Sequence, residues 1–226
     1  MKACVHQPNF LPYLGFFNKI KHSDLFVIYD VAQYVRDRFD NRNRIKGVNG
    51  PVWLTVPLQV KDSFKKRFSE VKLPIDNSWR KKHLRSIEVC YSRTPYFQRV
   101  FPEIERIYLT PYDLLADLSW ALIEFQMKAL GLTTRVVKTS DLRLDLNLSS
   151  SEMLLQILQR VEADEYLAGP SGRNYMDLDL FTRAGIFVEF QQFAHPCYRQ
   201  LYGEFLPHLA ALDLLFNEGD KAGSFI

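Results

Sequence analysis

The feature that most constrains the fold is the run of five apolar residues at positions 25–29, which the acidic residue Asp30 ends. A short, continuous apolar run of this kind is typical of a strand buried on both faces of a parallel sheet. Residues 3–6 predict another such strand, and residues 11–21 between them carry apolar side chains at helical spacing. Because parallel strands need a crossover connection, the N-terminus is predicted to be a right-handed β-α-β unit.

The last third of the chain also alternates between strand and helix. Ser149 and Glu152 form a Ser-x-x-Glu capping box at the start of a predicted helix that runs through Val161. The other predicted elements are strands at residues 135–138, 165–168 and 186–190, a tight turn at 169–172 and a helix at 177–184. Alternation at both ends predicts an α/β fold with a mainly parallel, doubly wound, Rossmann-like sheet.

The middle of the chain has a different pattern and predicts a largely helical insertion. The expected elements are strands at residues 51–60 and 69–73, a helix at 79–91, and a helix at 116–130 that Thr110 caps and Pro111 begins. We therefore expect a single domain over residues 1–226. Residues 1–50 and 132–226 would form its α/β core, and about 51–131 the insertion.

Charge is distributed unevenly along the chain. Residues 36–85 contain 14 Lys and Arg against 5 Asp and Glu, a net charge of +9, whereas residues 141–189 contain 4 against 9. Trp53 and Trp79 lie among the charges of the basic block. Such a block favours a polyanion or a phosphorylated ligand, and its structural alternative is a solvated face.

Several protein classes are disfavoured by what the sequence contains. No stretch approaches the roughly 18 apolar residues of a membrane span, and the apolar run after Lys2 is too short for a signal peptide, so we expect a cytoplasmic protein. The cysteines Cys4, Cys90 and Cys197 are dispersed and form no C-x-x-C pair, which argues against a disulfide framework or a zinc site. No metal and no other cofactor is expected.

Polar residues follow the predicted strands at the edge where open α/β sheets bind ligands. His6 and Asp30 are the candidate catalytic bases, because imidazole exchanges protons near neutral pH and a carboxylate can accept one. The candidate substrate-binding residues are Gln7, Asn9, Gln33, Tyr34, Asn41, Arg42, Asn43, Arg44, Lys46, Ser171, Gly172, Arg173, Asn174, Tyr175 and His195. Their structural alternatives are a core histidine, a loop cap, a basic surface loop and a plain turn.

These segments together resemble the WbqC-like protein family over nearly the whole chain. The resemblance is carried by Gln7-Pro8-x-x-x-Pro12-x-x-Gly15-x-Phe17, Asp30-x-x-Gln33-Tyr34, Asn41-Arg42-Asn43-Arg44-Ile45, Trp79-Arg80-x-x-x-Leu84, Pro196-x-Tyr198-x-Gln200 and Asp213-Leu214-Leu215-Phe216-Asn217. The Gly169-Pro170-Ser171-Gly172 turn departs from the Pro-x-Gly-Gly form of many members.

The resemblance implies a transferase of surface-polysaccharide (O-antigen) biosynthesis. Such an enzyme would move a glycyl or other acyl group from an activated acyl or aminoacyl donor, including aminoacyl-tRNA, to the amine of a nucleotide-linked amino sugar. His6 or Asp30 would be the base, Gln7 and Asn9 would contact the substrate or oxyanion, and Ser171 to Tyr175 would hold the second substrate. Arg42, Arg44 and Lys46 would clamp phosphate.

Two alternatives to the transferase stay open. One is a non-catalytic module that binds a nucleotide sugar or RNA, which the basic block motivates. The other is an ATP-dependent ligase, or an enzyme similar in layout to nucleotidylyltransferases. Those enzymes hold phosphates with a His-x-x-His loop, whereas the loop here reads Pro12-Tyr13-Leu14-Gly15-Phe16, so adenylyl transfer by that mechanism is disfavoured.

Overall fold

The computed structural model describes residues 1–36, 38–59 and 65–226. Its strands are β1 (Lys2–His6), β2 (Leu25–Ile28), β3 (Arg42–Gly47), β4 (Gly50–Thr55), β5 (Arg135–Lys138), β6 (Glu165–Ala168) and β7 (Phe187–Phe190). Its α-helices are α1 (Leu14–Lys21), α2 (Ser78–Tyr91), α3 (Phe97–Leu109), α4 (Leu115–Ala129), α5 (Ser150–Arg160), α6 (Leu178–Arg183) and α7 (Leu212–Glu218).

The chain divides into two compact units. The first unit contains Met1–Gln7, Asn18–Val31 and Thr134–Ala194, and the second contains Pro8–Phe17, Ala32–Thr133 and His195–Ile226. These boundaries differ from those expected from the sequence, because residues 8–17, 32–50 and 195–226 belong with the helical middle of the chain and not with the sheet.

The first unit is built on a five-stranded parallel sheet in the order β5-β2-β1-β6-β7. With β1 in the centre, the chain winds outward first through β2 and β5 and then through β6 and β7. The predicted parallel, doubly wound α/β sheet is therefore confirmed. One face of the sheet, including Ala3 and Val27, packs with Ile157 and Leu158 of α5 and Phe181 of α6 into an apolar core.

The second unit contains the antiparallel hairpin β3–β4 and the helices α2, α3, α4 and α7. The helical character predicted for the middle of the chain is confirmed. Ring stacking supports this core, since the centroids of Tyr91 in α2 and Phe216 in α7 lie 4.4 Å apart with their planes 14° apart. Phe97 of α3 packs against Phe216 at a centroid distance of 6.0 Å.

Two local predictions for the middle of the chain were wrong, and a third was right only in part. The predicted strand at residues 69–73 is a 3-10 helix at Phe68–Glu70, followed by one bridge between Lys72 and Leu114. Thr110 does not start a helix but caps the C-terminus of α3. The strand predicted at residues 51–60 ends at Thr55, and residues 60–64 of the basic block lie outside the described residues.

Gly219 at the end of α7 tests how closely the second unit is packed. Its φ is +52°, and an added Cβ would clash with the Tyr96 ring. We expect Gly219→Ala to lower the free energy of unfolding by about 2–3 kcal/mol, because backbone strain and overpacking add. Gly131→Ala is the control, since its φ is +71° but a Cβ there meets nothing within 4 Å. Equal losses in urea unfolding would contradict the packing argument.

Candidate functional site

His6 ends β1 in the first unit, and its environment keeps it neutral. Its Nδ1 lies 2.8 Å from the Gln7 carbonyl oxygen, which only accepts, so Nδ1 carries the proton and donates. Burial lowers the pKa of His6 to about 3, and the positive charge of Lys19 acts in the same direction. A group with this pKa is a weak proton acceptor at neutral pH.

Asp30, the other candidate base, is buried and fully engaged at the end of β2. Its Oδ1 accepts hydrogen bonds from Thr139 Oγ1 at 2.8 Å and from the Ser140 N–H at 2.9 Å, and its Oδ2 accepts from Ser140 Oγ at 2.6 Å. The carboxylate thereby fixes the 3-10 helix Thr139–Asp141 that follows β5. This arrangement gives Asp30 a positioning role in the first unit.

The turn after β6 also belongs to the first unit. Pro170–Asn174 form a 3-10 helix, in which the Gly172 N–H donates to the Gly169 carbonyl at 2.9 Å. The side chains of Ser171, Arg173, Asn174 and Tyr175 are exposed, whereas Gly172 is buried against Met176 and Phe190. The Arg173 guanidinium lies 4.5 Å from the centroid of the Phe190 ring.

In the second unit, a strained backbone shapes the loop before α1. Leu11 is fully buried with φ at +48°, a conformation that non-glycine residues rarely adopt. Asn43 Nδ2 donates to the Leu11 carbonyl at 2.6 Å, and the Phe10 N–H donates to the Phe39 carbonyl at 3.0 Å. The Pro12 carbonyl accepts from the Ala211 N–H at 2.8 Å. Asn43 thus holds the strained turn.

The Asn-Arg repeat of residues 41–44 leads into β3, where strand geometry explains its alternation. Asn41 Nδ2 donates to the Val56 carbonyl at 2.8 Å, so both asparagines of the repeat are buried and bonded to backbone. Because alternate residues of a strand point to opposite faces, the arginines lie on the other side of the hairpin. Arg44 is paired in register with Trp53 of β4.

The outer face of this hairpin combines cations with exposed rings. The Arg42 and Arg44 guanidinium carbons lie 4.8 Å and 5.5 Å from the centroid of the Trp53 ring. Trp53 is 48% exposed and Phe39 is 45% exposed, and their centroids lie 6.4 Å apart with planes 27° apart. We call Phe39, Arg42, Arg44 and Trp53 the hairpin face.

Lys46 lies on the same side of β3 as Arg42 and Arg44, but its side chain is buried in a polar cluster of the second unit. Its Nζ donates to Gln200 Oε1 at 2.9 Å and to the Glu204 carbonyl, and its backbone N–H donates to the Tyr91 hydroxyl at 3.0 Å. The Tyr91 hydroxyl donates in turn to Asp213 Oδ1 at 3.0 Å. We call Lys46, Tyr91, Gln200 and Asp213 the lysine cluster.

Burial shifts both charged groups of the lysine cluster towards their neutral forms. It raises the pKa of Asp213 to about 6, although the polar groups of Tyr91, Tyr198 and Gln200 and the charge of Lys46 oppose the rise. It lowers the pKa of Lys46, and the charge of Asp213 opposes this. Each charge favours the ionised form of the other group, although the hydrogen bonds of Tyr91, Tyr198 and Gln200 act more strongly on Asp213 than the charge of Lys46 does.

The segment 195–208 carries two histidines next to β3. The ring centroids of His195 and His208 lie 5.0 Å apart with planes at 76°. Gln200 closes this segment into a loop, because its side chain bonds both the N–H of Leu206 at 2.9 Å and the carbonyl of Leu206 at 3.0 Å. Arg44 Nη2 lies 3.5 Å from the His208 carbonyl oxygen.

The candidate residues thus fall into two groups. The first unit contains His6, Gln7, Asp30, Ser171, Gly172, Arg173, Asn174 and Tyr175, and the second contains Asn9, Gln33, Tyr34, Asn41, Arg42, Asn43, Arg44, Lys46 and His195. Within the second unit, Arg44 and Lys46 both contact the segment that holds His195. Gln33 is exposed and bridges to Arg67, whereas Tyr34 is buried and its N–H donates to the Lys66 carbonyl.

Comparison with known proteins gives this arrangement a family. The family model described as the WbqC-like protein family matches residues 7–225. The chain belongs to the WbqC-like protein family. Among the relatives of this WbqC-like chain is a protein of Mycobacterium tuberculosis described as uncharacterized. It is 35% identical over 227 residues, which cover 100% of this chain and 97% of the relative.

Sequence reasoning did not assign several residues of this WbqC-like site. Trp53 was noted only as a ring among basic residues, and Asp213 and Tyr198 only as parts of family motifs. Tyr91 and Asp213 are separated by 122 residues, so no local pattern could pair them. No sequence pattern indicated His208, because its proximity to His195 depends on the loop that Gln200 closes.

Across residues 1–36, 38–59 and 65–226, no three His, Cys, Asp or Glu side chains are grouped as a metal ion would require. Within the same ranges, every helix is too short or too polar to cross a bilayer.

Proposed function

We propose that this protein is a transferase of surface-polysaccharide (O-antigen) biosynthesis that attaches an aminoacyl or acyl group to the amine of a nucleotide-linked amino sugar. The observation that carries this proposal is the hairpin face, where two guanidinium groups stand beside two exposed aromatic rings. The proposal keeps the cytoplasmic location expected from the sequence.

The hairpin face matches the chemistry of a nucleotide diphosphate. A guanidinium group binds phosphate oxygens through two parallel hydrogen bonds, which suits Arg42 and Arg44. An exposed indole ring offers a surface on which a nucleobase stacks, and stacking of this kind contributes about 1–3 kcal/mol per base. The net charge of +9 over residues 36–85 favours the approach of an anionic ligand.

Transfer to an amine also needs a base, because an ammonium group has no lone pair for attack on a carbonyl carbon. His6 has a pKa of about 3, and Asp30 already accepts three hydrogen bonds from Thr139 and Ser140. His6 is therefore a weak proton acceptor at neutral pH, and the Asp30 carboxylate is held by Thr139 and Ser140 in a structural role. In this proposal the hairpin face binds the nucleotide, and other groups of the second unit accept the proton of the substrate ammonium group.

The role of the hairpin face predicts a loss of nucleotide binding in a Trp53→Ala variant. We expect the Kd for nucleoside diphosphates, tested with UDP, dTDP, GDP and CDP by titration calorimetry, to rise about 10-fold for the preferred base. Phe187→Ala is the control, since Phe187 is a 65% exposed ring of the first unit. Equal affinity of the wild type and Trp53→Ala for every nucleotide would remove the support for this proposal.

The second candidate function is a non-catalytic binding module, which the same basic segment favours. A mass measurement distinguishes it from the transferase. The protein is incubated with UDP-linked amino sugars and with a glycine thioester or glycyl-tRNA, without ATP. The transferase is expected to add the mass of one glycyl residue to the sugar nucleotide. Nucleotide binding without a mass gain from either donor would favour the binding module instead.

A further inference from the structure

His195 and His208 form an imidazole pair within the second unit. Their centroids lie 5.0 Å apart in an edge-to-face arrangement, and His208 also lies 6.1 Å from the Tyr13 ring. His195 is flanked by the rings of Tyr198 at 6.4 Å and Phe205 at 5.8 Å. Aromatic rings therefore pack around the pair, while the side chain of His208 is exposed to solvent.

One nitrogen of the pair is prepared to accept a proton. His195 Nδ1 lies 2.9 Å from the Pro196 carbonyl oxygen, so Nδ1–H donates and Nε2 carries the lone pair. Burial lowers the pKa of His195, the Pro196 carbonyl opposes this, and the charge of His208 adds to the lowering. The other titratable or charged groups that face the pair are Tyr13, Tyr198 and Arg44.

The backbone of His208 is strained and is held by β3. Its φ is +59°, in the left-handed region that costs a side-chain-bearing residue energy. The Arg44 side chain reaches the His208 carbonyl, and the Arg44 carbonyl accepts from the Ala210 N–H at 2.8 Å. Strain that neighbouring contacts maintain is characteristic of functional positions. The strand that carries the hairpin face therefore also places this imidazole.

We propose that His195 and His208 are the acid–base pair of the transfer reaction, which makes this inference rest on the proposed function. His195 Nε2 removes a proton from the substrate ammonium group. The freed amine attacks the carbonyl carbon of an amino-acid ester or thioester, a C–N bond forms, and the C–O or C–S bond breaks. His195 releases the ammonium proton to solvent and then takes the second proton from the attacking nitrogen after the C–N bond has formed. This second proton passes through His208 to the leaving alkoxide or thiolate, so an amide, an alcohol or thiol and one released proton result.

The pair is tested with His195→Gln, His208→Asn and the double variant. Asparagine tolerates positive φ, so His208→Asn removes the imidazole and preserves the backbone. Initial rates of glycyl transfer are measured by mass from a glycine thioester and from glycyl-tRNA. We expect each single variant to be about 100-fold slower, in the range that loss of a general acid or base produces. The Kd for nucleoside diphosphate is expected to stay within about 2-fold, and the acidic limb of the pH–rate profile to disappear.

The controls separate this inference from the proposed function. His22→Gln replaces an exposed histidine of the first unit and is expected to leave rate and pH profile unchanged. If the double variant transfers the glycyl group at the wild-type rate and with the same pH profile, the acid–base pair is overturned and the proposed function is not. Absence of transfer by the wild type from both donors would overturn the proposed function and this inference together. If a variant fails to fold, the histidine imidazole signals of the wild type are recorded by NMR instead. Two histidine signals are then expected to shift with added UDP-linked amino sugar, and unmoved signals would count against the pair.

Discussion

In the wild type, His6 is expected to lower the free energy of unfolding by roughly 4–5 kcal/mol as the pH falls from 7 to 3, and His6→Gln is expected to abolish this loss. Burial lowers the pKa of His6 from 6.5 to about 3 in the folded protein. Below pH 6.5 the unfolded chain binds a proton that the folded protein excludes. The stability associated with neutral His6 is therefore complete above pH 6.5 and is lost as the pH falls towards 3.

Urea unfolding of the wild type and His6→Gln at half-unit steps from pH 7.5 to pH 3 measures this effect. Gln can still donate an amide hydrogen to the Gln7 carbonyl, so the local hydrogen bond has a substitute. The difference between the two proteins isolates His6 from Asp213, whose raised pKa makes stability change in the opposite direction between about pH 4 and pH 6. His22→Gln is the exposed control, and a His6→Gln curve parallel to that of the wild type would contradict the prediction.

The second large effect is expected for Lys46→Met, which should lower the free energy of unfolding at pH 7 by roughly 2–4 kcal/mol. The substitution leaves Gln200 Oε1 and the Glu204 carbonyl without the Lys46 donor. It also removes a positive charge that favours the ionised form of the buried Asp213. Lys82→Met, an exposed site on α2, is the matched control and is expected to change stability by no more than about 0.5 kcal/mol.

A double-mutant cycle identifies the charge component of that loss. Adding Asp213→Asn to Lys46→Met is expected to recover part of the stability, because the amide carries no unpaired charge. The cost of Lys46→Met should also be smaller at pH 5 than at pH 7, since Asp213 has a pKa of about 6 and can take up a proton. A cost that is independent of both pH and Asp213→Asn would mean that packing, and not charge, dominates the cluster.

The parts of the fold that could be predicted are those whose side chains follow a regular apolar pattern. β2 and α5 have such patterns, and they begin and end within a residue or two of the predicted positions. α3 was missed because Pro102 lies inside it, and proline normally argues against a helix interior. Its buried residues Val100, Ile104 and Ile107 at helical spacing outweigh that local cost.

β3 was missed for a different reason. Its inward positions include Asn43, and an asparagine precedes the strand, so apolar alternation is interrupted where the strand begins. These asparagines are buried because their amides bond to the carbonyls of Leu11 and Val56, which are distant in sequence. Hydrogen bonds to a backbone placed by the rest of the fold leave no periodic signal, and the same holds for the bond between Tyr91 and Asp213.

The alternation of asparagine and arginine at residues 41–44 has an evolutionary consequence. One side of the hairpin secures the backbone, and the other side carries Arg42, Arg44 and Trp53, to which we have assigned ligand recognition as a proposal. Substitutions on the outer side can therefore alter which ligand is preferred while the inner amides preserve the scaffold. Relatives with different substrates would then be expected to vary at the two arginines and Trp53 and to retain the two asparagines.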